Sequence, residues 1–338
     1  MFLLAVGLFS FFLTLILVKL ALKFFPVWGL MDRPHKYGLK RAPIPYYGGI
    51  VIVLAFVVSV LIWVPLDMKV MGFLLGGILV AVVSFIDDRK GLSPYIRLLT
   101  QVIAGLVLYF SGIFLTSLPG PWGGELVLIP VVAAVLTVVW VVLVMNTFNW
   151  IDGLNGLPSG VSTIASLVIL GLAMRPGLHA VDQNGLIIMA LILAMVCLVF
   201  WFYDFHPAKI LMGDTGSMFL GYALAALAIF AGGKLATAFL VLGFPILDAF
   251  WVILRRIFSG KSPFKGDLQH FHHRLSYAGL SHRMALILIY TFSALFGFLA
   301  IWLGTQEKIW AIVILLSTMA IVGFGVVLME IEKKRKRG

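Results

Sequence analysis

Cysteine is almost missing from this chain. The one present, Cys197, lies inside an apolar run, so neither a disulfide framework nor a thiolate metal site is expected. Charge is scarce as well: 12% of residues are Asp, Glu, Lys or Arg, where soluble domains carry about 25%. Acids are the scarcer sign, 14 against 25 Lys and Arg, which leaves a formal net charge of +11. Such a surplus can mark a nucleic-acid binder, but no nucleic acid is expected here. The chain is 62% hydrophobic with a mean hydropathy of +1.10, which excludes an ordinary soluble domain. It is an all-α polytopic membrane protein on this evidence, and in such proteins basic residues record topology. No internal repeat is evident.

A membrane span needs about 20 predominantly apolar residues. Eleven ranges qualify: 2–24, 46–64, 70–86, 98–116, 127–145, 157–175, 184–203, 213–231, 235–254, 284–304 and 308–330. The first is long enough to span and no small-residue cleavage site follows it, so a retained span rather than a cleaved leader is expected. Nineteen of the 25 Lys and Arg residues fall in one set of alternate loops, among them Lys40, Arg41, Arg89, Lys90, Arg97, Arg255, Arg256 and the run Lys333–Arg337. The opposite loops hold only Lys69, Arg175, Lys234 and Lys308. The positive-inside rule makes the richer side cytoplasmic, with the N-terminus outside and the C-terminus inside. One transmembrane domain over 1–332 with a basic cytoplasmic tail at 333–338 is the expected organisation.

Four polar motifs collect on that cytoplasmic side, at the ends of apolar runs, where they are costly unless they do chemistry. Asp87-Asp88 closes the third span. Adjacent carboxylates at a membrane edge suit a hard divalent cation such as Mg²⁺ or Mn²⁺ that also bridges phosphates; a solvated pair neutralised by Arg89 and Lys90 is the plainer alternative. Met212-Gly-Asp-Thr-Gly-Ser217 opens the eighth span and offers backbone N–H groups at a helix start, which attract anions. The plainer alternative is an N-cap by Asp214 or Thr215. Asn146-Thr-Phe-Asn-Trp-Ile-Asp-Gly-Leu-Asn-Gly156 forms a polar break between spans five and six. Its Asp-Gly and Asn-Gly dipeptides together with two further asparagines exceed what one turn needs, and suit hydrogen bonding to a base, a ribose or a sugar. His270-Phe-His-His-Arg274 lies in the largest polar loop. With no cysteine nearby, phosphate binding or orientation suits it better than a zinc site. Gln101 is expected to hydrogen-bond between helices, and Asp248 to be a packed structural residue.

Taken in order, these motifs resemble the polyprenyl-phosphate N-acetylhexosamine-1-phosphate transferases, glycosyltransferase family 4, over about residues 30–330. Asp32-Arg-Pro with Pro43-Ile-Pro-Tyr-Tyr-Gly-Gly49 is similar to that family's first cytoplasmic loop. Asp87-Asp88 with Gly91-Leu-Ser-Pro94 is similar to its paired-aspartate motif, and Asn146–Leu157 to its Asn-x-x-Asn-x-x-Asp-Gly-x-Asp-Gly-Leu loop. Pro207–Ser217 resembles its third aspartate motif, and Arg255 through Leu275 its histidine loop. The His-x-His-His-Arg-Leu form resembles the GlcNAc-1-phosphate branch more than the muramoyl-pentapeptide branch. Three departures stand out: Asn155 replaces a second aspartate, Leu211 a phenylalanine that could stack on a base, and Asp204 an asparagine. The first loop lacks an Arg-Lys-x-His pattern, so Lys40 or Arg41 is expected to supply its cation.

The resemblance implies transfer of GlcNAc-1-phosphate from UDP-GlcNAc to undecaprenyl phosphate with Mg²⁺, Mn²⁺ being possible. The products are undecaprenyl-diphosphate-GlcNAc and UMP, starting a cell-envelope glycan such as a teichoic acid or O-antigen. It implies a multi-pass protein of the cytoplasmic membrane. The expected partners are a UDP-N-acetylhexosamine, the polyprenyl phosphate, the membrane and, in a homodimer, a second copy of the chain. In these terms Asp88 and Asp214 bind the metal, and Asp87 deprotonates or orients the lipid phosphate. Asn149 and Asp152 contact the nucleotide side. Asn155, Asp204 and Leu211 bear on nucleotide binding, while His270, His272, His273 and Arg274 hold phosphate oxygens. A transporter of a nucleotide-sugar or lipid-linked intermediate is the rival from another class. It predicts polar groups at mid-span and internal repeats, and neither is evident.

Overall fold

The structure is a computed structural model that describes residues 1–34, 41–119, 124–175, 183–231, 235–258, 260, 275 and 279–335. It separates into two compact units, Met1–Lys234 and Leu235–Gly338. The first contains α1 (Phe2–Phe24), α2 (Gly49–Trp63), α3 (Met68–Lys90), α4 (Pro94–Phe110), α5 (Pro130–Ile151), α6 (Leu157–Ala173), α7 (Asn184–Asp204) and α8 (Gly213–Phe230). The second contains α9 (Leu235–Phe258), α10 (His282–Trp302) and α11 (Thr305–Arg335).

Short polar signals set the helix ends. Asp67 accepts from the Val70 N–H at 2.8 Å to start α3, and Gly91, at φ +69°, stops it. Ser93 caps α4, with Pro94 in its first turn, and Ser281 caps α10. Each of the eleven expected ranges contains a helix. Among the described residues, seven are long and apolar enough to cross a membrane on length and composition: α1, α3, α5, α7, α8, α10 and 307–325 within α11. The apolar helices α2, α4 and α6 are shorter, at 15, 17 and 17 residues.

Three boundaries differ from expectation. The fourth helix stops at Phe110 rather than reaching 116, because the chain turns at Ser111-Gly112, Gly112 having φ +87°. A two-stranded antiparallel hairpin follows, β1 (Ser117–Pro119) on β2 (Glu125–Val127), a small departure from the all-α expectation. The third helix runs on to Lys90, so Asp87 and Asp88 lie in its last turns rather than beyond them. The fifth runs to Ile151, so Asn146 and Asn149 are helical rather than part of a loop. Asn146 is accommodated because its Nδ2 donates both to the Val142 carbonyl and to Gln101 Oε1, each at 2.8 Å.

Within the first unit α8 is the centre. Every residue from Thr215 to Ile229 is buried, and α2, α3, α5, α6 and α7 all pack against it. By contrast α1, packed on α2 and α7, has only 28% of its most apolar stretch buried, against 89% for α8. Apolar surroundings give helices little hydrophobic reason to associate, so close backbone approach and buried hydrogen bonds must hold them. Both are present. A Cβ on Gly49 would lie 2.1 Å from the Gly216 nitrogen, so α2 and α8 cross nearly backbone to backbone. Tyr222 donates to the Phe73 carbonyl at 3.0 Å, and Trp140 Nε1 to the Ala225 carbonyl at 3.2 Å. Rings of Phe56, Phe73, Phe219 and Tyr222 meet at 5.6–5.7 Å between α2, α3 and α8. In the second unit Leu240, Phe296, Ala300, Ala311 and Leu315 form the core of α9, α10 and α11.

Candidate active site

The site is built where α3 ends and α8 begins. Asp88, in the last turns of α3, reaches across to the first turn of α8. Its Oδ1 accepts from the Asp214 N–H at 3.0 Å and from the Tyr46 hydroxyl at 3.1 Å. Its Oδ2 accepts from the Thr215 N–H at 3.0 Å and the Thr215 hydroxyl at 2.7 Å. A carboxylate so placed satisfies unpaired N–H groups and favours the positive end of the helix dipole. The N–H groups expected from sequence to face a phosphate are therefore already occupied by an aspartate of the protein. Neither Asp214 nor Thr215 caps α8 with its side chain, as an ordinary N-cap would. Asp214 instead sits on the cavity wall.

Asp87 faces another way. It is 6% exposed. Its Oδ1 accepts from the Leu92 N–H at 2.6 Å and its Oδ2 lies 2.6 Å from Arg97 Nε. Arg97, in the first turn of α4, also places Nη1 3.3 Å from Asp214 Oδ2. Within the acid pair, Asp87 is thus neutralised by Arg97 rather than by the adjacent Arg89 and Lys90, while Asp88 is held by the donors of α8 and Tyr46.

The third wall comes from the end of α5 and the turn that follows it. Asn149 Nδ2 donates to Ser217 Oγ at 3.4 Å, and Asp152 stands at the C-terminus of the helix. The turn 152–156 is held from behind by Asp204, which is 1% exposed and accepts from the Gly156 N–H at 3.0 Å and Ser159 Oγ at 2.8 Å. Asp204 thus braces the start of α6 much as Asp88 braces α8. It is not among the residues lining the cavity, unlike Asn155 and Leu211. A backbone clasp forms the fourth wall: Leu211 N–H donates to the Pro45 carbonyl, while Gly48 and Gly49 N–H donate to the Leu211 and Met212 carbonyls, at 2.8–2.9 Å. The clasp carries Tyr46 and Tyr47 into the cavity, Tyr47 at φ +71°, a conformation that non-glycine residues rarely adopt.

Together these segments enclose a cavity of about 1020 Å³ lined by Asp87, Asp88, Asn149, Asp152, Asn155, Leu211 and Asp214. Arg33, Arg41, Arg89 and Lys90 also line it, with Arg41 paired to Asp32. Lys40, His270, His272, His273 and Arg274 lie outside the described residues. Arg97 and the two tyrosines were not singled out from sequence as site residues. Arg97 had a legible signal, since a guanidinium in the first turn of a helix sits at the wrong end of the dipole and calls for anionic partners.

The cavity floor is acid-rich. Burial, followed by the neighbouring Asp204, Asp214 and Asp88, holds the Asp152 carboxyl well above the ordinary carboxylate range. Burial and then Asp88 push the Tyr46 phenol up, which keeps it a hydrogen-bond donor. The folded protein thus holds the Asp152 proton more tightly than the unfolded chain, whose carboxyl titrates near about 3.9. Ionisation above that pH draws on stability. Asp152→Asn should therefore melt at a higher temperature than the parent at pH 8, with the difference closing as pH falls to about 4. A pH-independent difference would show that this carboxyl is not strained.

A site with these carboxylates fits Mg²⁺ or Mn²⁺, which take hard oxygen ligands and commonly use one or two carboxylates together with substrate phosphates. Asp214, with its side chain 29% exposed, and Asp152 face the cavity with such oxygens. Asp88, expected as a second ligand, has both oxygens engaged by donors. Among the described residues no three His, Cys, Asp or Glu side chains converge as a ready-made metal cage.

Comparison with known proteins bears directly on this cavity. A family model described as glycosyl transferase family 4 matches residues 70–232, the stretch that carries Asp87, Asp88, Asn149, Asp152 and Asp214. The chain is 32% identical over 320 residues to the probable undecaprenyl-phosphate N-acetylglucosaminyl 1-phosphate transferase of Bacillus subtilis (strain 168), covering 92% of this chain and 87% of that protein. It is 29% identical to the undecaprenyl-phosphate alpha-N-acetylglucosaminyl 1-phosphate transferase of Yersinia pestis, covering 81% and 76%. It is also 31% identical to the phospho-N-acetylmuramoyl-pentapeptide-transferase of Microcystis aeruginosa (strain NIES-843 / IAM M-2473), covering 80% and 79%.

Proposed function

The chain belongs to glycosyl transferase family 4, and on that footing we propose that it transfers GlcNAc-1-phosphate from UDP-GlcNAc to undecaprenyl phosphate, releasing UMP. It is a multi-pass membrane protein. In our reading it crosses the cytoplasmic membrane eleven times and works on the cytosolic side, to start a cell-envelope glycan. The names of its relatives support polyprenyl phosphate as the acceptor class and a phosphorylated N-acetylhexosamine as the group moved.

One observation carries the reading. Acids from three separate segments, Asp88, Asp152 and Asp214, meet on the same cavity as Arg33, Arg41, Arg89 and Lys90. Two polyanions have to meet there, so charge neutralisation is the main catalytic requirement. An oxygen of the lipid phosphate attacks the β-phosphorus of UDP-GlcNAc, the bond to the oxygen shared with the α-phosphorus breaks, and UMP leaves carrying that oxygen. A bound Mg²⁺ held by Asp214, with Asp152 beside it, would supply positive charge to the diphosphate. The basic side chains steer the lipid phosphate inward, and Asn149 and Asn155 offer amides to the nucleotide-sugar. Asp87 orients rather than deprotonates: a phosphate monoester loses its second proton near pH 6, so at neutral pH the attacking oxygen needs little help from a base.

The test uses membranes containing the protein, Mg²⁺, undecaprenyl phosphate and a panel of UDP-sugars. UMP release together with a lipid-linked sugar is expected, fastest with UDP-GlcNAc. A higher rate with UDP-MurNAc-pentapeptide would reassign the donor, and no UMP with any UDP-N-acetylhexosamine would sink the proposal.

A further inference from the structure

Arg97 reaches into the acid-rich floor, and its two ion pairs are unequal. The Asp87 end is fixed. That carboxylate is 4% exposed in its side chain, is held on the other oxygen by the Leu92 N–H, and sits 2.6 Å from Nε as a close ion pair, Nε itself making no hydrogen bond. The Asp214 end is loose. Its Oδ2 accepts one long hydrogen bond from Nη1, at 3.3 Å, on a side chain 29% exposed. A planar guanidinium held by charge on its Nε side keeps Nη2, and Nη1 once it leaves Asp214, for other acceptors, in the fork geometry that matches phosphate oxygens.

From this asymmetry we infer that Arg97 is an exchangeable counter-cation: it neutralises Asp214 until a divalent cation takes that carboxylate, and then, still tethered to Asp87, turns its Nη groups to phosphate. The inference rests on the metal-dependent reading above. A divalent ion carries twice the charge and approaches an oxygen to about 2.1 Å, so it prevails at the one contested group. The guanidinium, now beside a like charge, is driven off Asp214 but not off Asp87. Asp87 thereby acquires a task that suits a nearly sealed carboxylate, that of a pivot. Asp88 is no competitor for Arg97, since Tyr46, Asp214 N–H and Thr215 fill its oxygens. One movement serves both halves of the problem: the nucleotide diphosphate gains the metal, and the lipid phosphate gains a positioned cation.

The test reads metal binding without turnover. Full-length protein in detergent, with no nucleotide or lipid, is titrated with Mn²⁺, and the electron paramagnetic resonance signal of free Mn²⁺ is followed. Arg97→Met should bind Mn²⁺ about ten- to a hundredfold more tightly than the parent, the ratio that corresponds to one competing charge-assisted hydrogen bond. Arg97→Lys, a point charge without the two-sided fork, should fall between them. Asp214→Asn should abolish binding in either background. Thermal melting verifies that each variant is folded, and if Arg97→Met is not, Arg97→Lys decides alone. Mn²⁺ affinity equal to or below that of the parent overturns the inference, as does no binding by any variant. In that last case Mg²⁺-dependent UMP release would still uphold the proposed function, while its absence would remove both.

Discussion

Asp214→Asn is expected to leave a folded protein whose UMP release falls by about 10³-fold or more, the scale at which one preorganised charge at a reacting phosphoryl group acts. The substitution keeps the shape of the side chain and the backbone N–H that donates to Asp88 at 3.0 Å, so the start of α8 remains braced. What it removes is the negative charge on the cavity wall. The expected signature is therefore a lost kcat with an unchanged melting temperature. Activity within tenfold of the parent would take Asp214 out of the reaction, and a parallel loss of folded protein would make it structural.

Gly49→Ala should act on folding. The added Cβ would fall 2.1 Å from the Gly216 nitrogen and 2.5 Å from its Cα, and neither is the end of a flexible side chain that can swing away. The helices must separate, and overpacking of a rigid contact costs about 3 kcal/mol or more. In detergent the variant should show little folded protein, with a melting temperature well below the parent. Gly323, within α11, supplies the contrast, since no atom lies within 4 Å of a Cβ placed there. Alanine at 323 should stabilise by up to about 1 kcal/mol, the ordinary gain for replacing a helical glycine. Equal melting of the two variants would show that the α2–α8 contact is not tight.

The helices and the acids were legible in the sequence because they depend on local information. Apolar runs, Asp67 and Ser93 before helix starts, and Gly91 after a helix end all act within a few residues. The relations between the acids were not legible, because each is settled by a partner far along the chain. Asp88 accepts from a helix N–H 126 residues later, and Asp204 braces an N–H 48 residues before it. Asn146 reads as loop because its helical partner, the Val142 carbonyl, accounts for only part of its amide; Gln101, 45 residues earlier, supplies the rest inside the helix bundle. Arg97 passed as a topology charge for the same reason. Its partners lie 10 and 117 residues away, and only the fold brings them together.

The clasp between 45–49 and 211–212 is made wholly of main-chain groups. Its registration does not depend on which side chains stand at 46, 47 and 211, although all three face the same cavity. Mutation can therefore exchange the side chains at 47 and 211 without breaking the clasp, whereas Tyr46 also donates to Asp88 and is tied to the acid cluster. The main chain thus sets the frame of that wall, and Leu211 and Tyr47 are the positions on it where a lineage can vary the cavity lining without disturbing the frame.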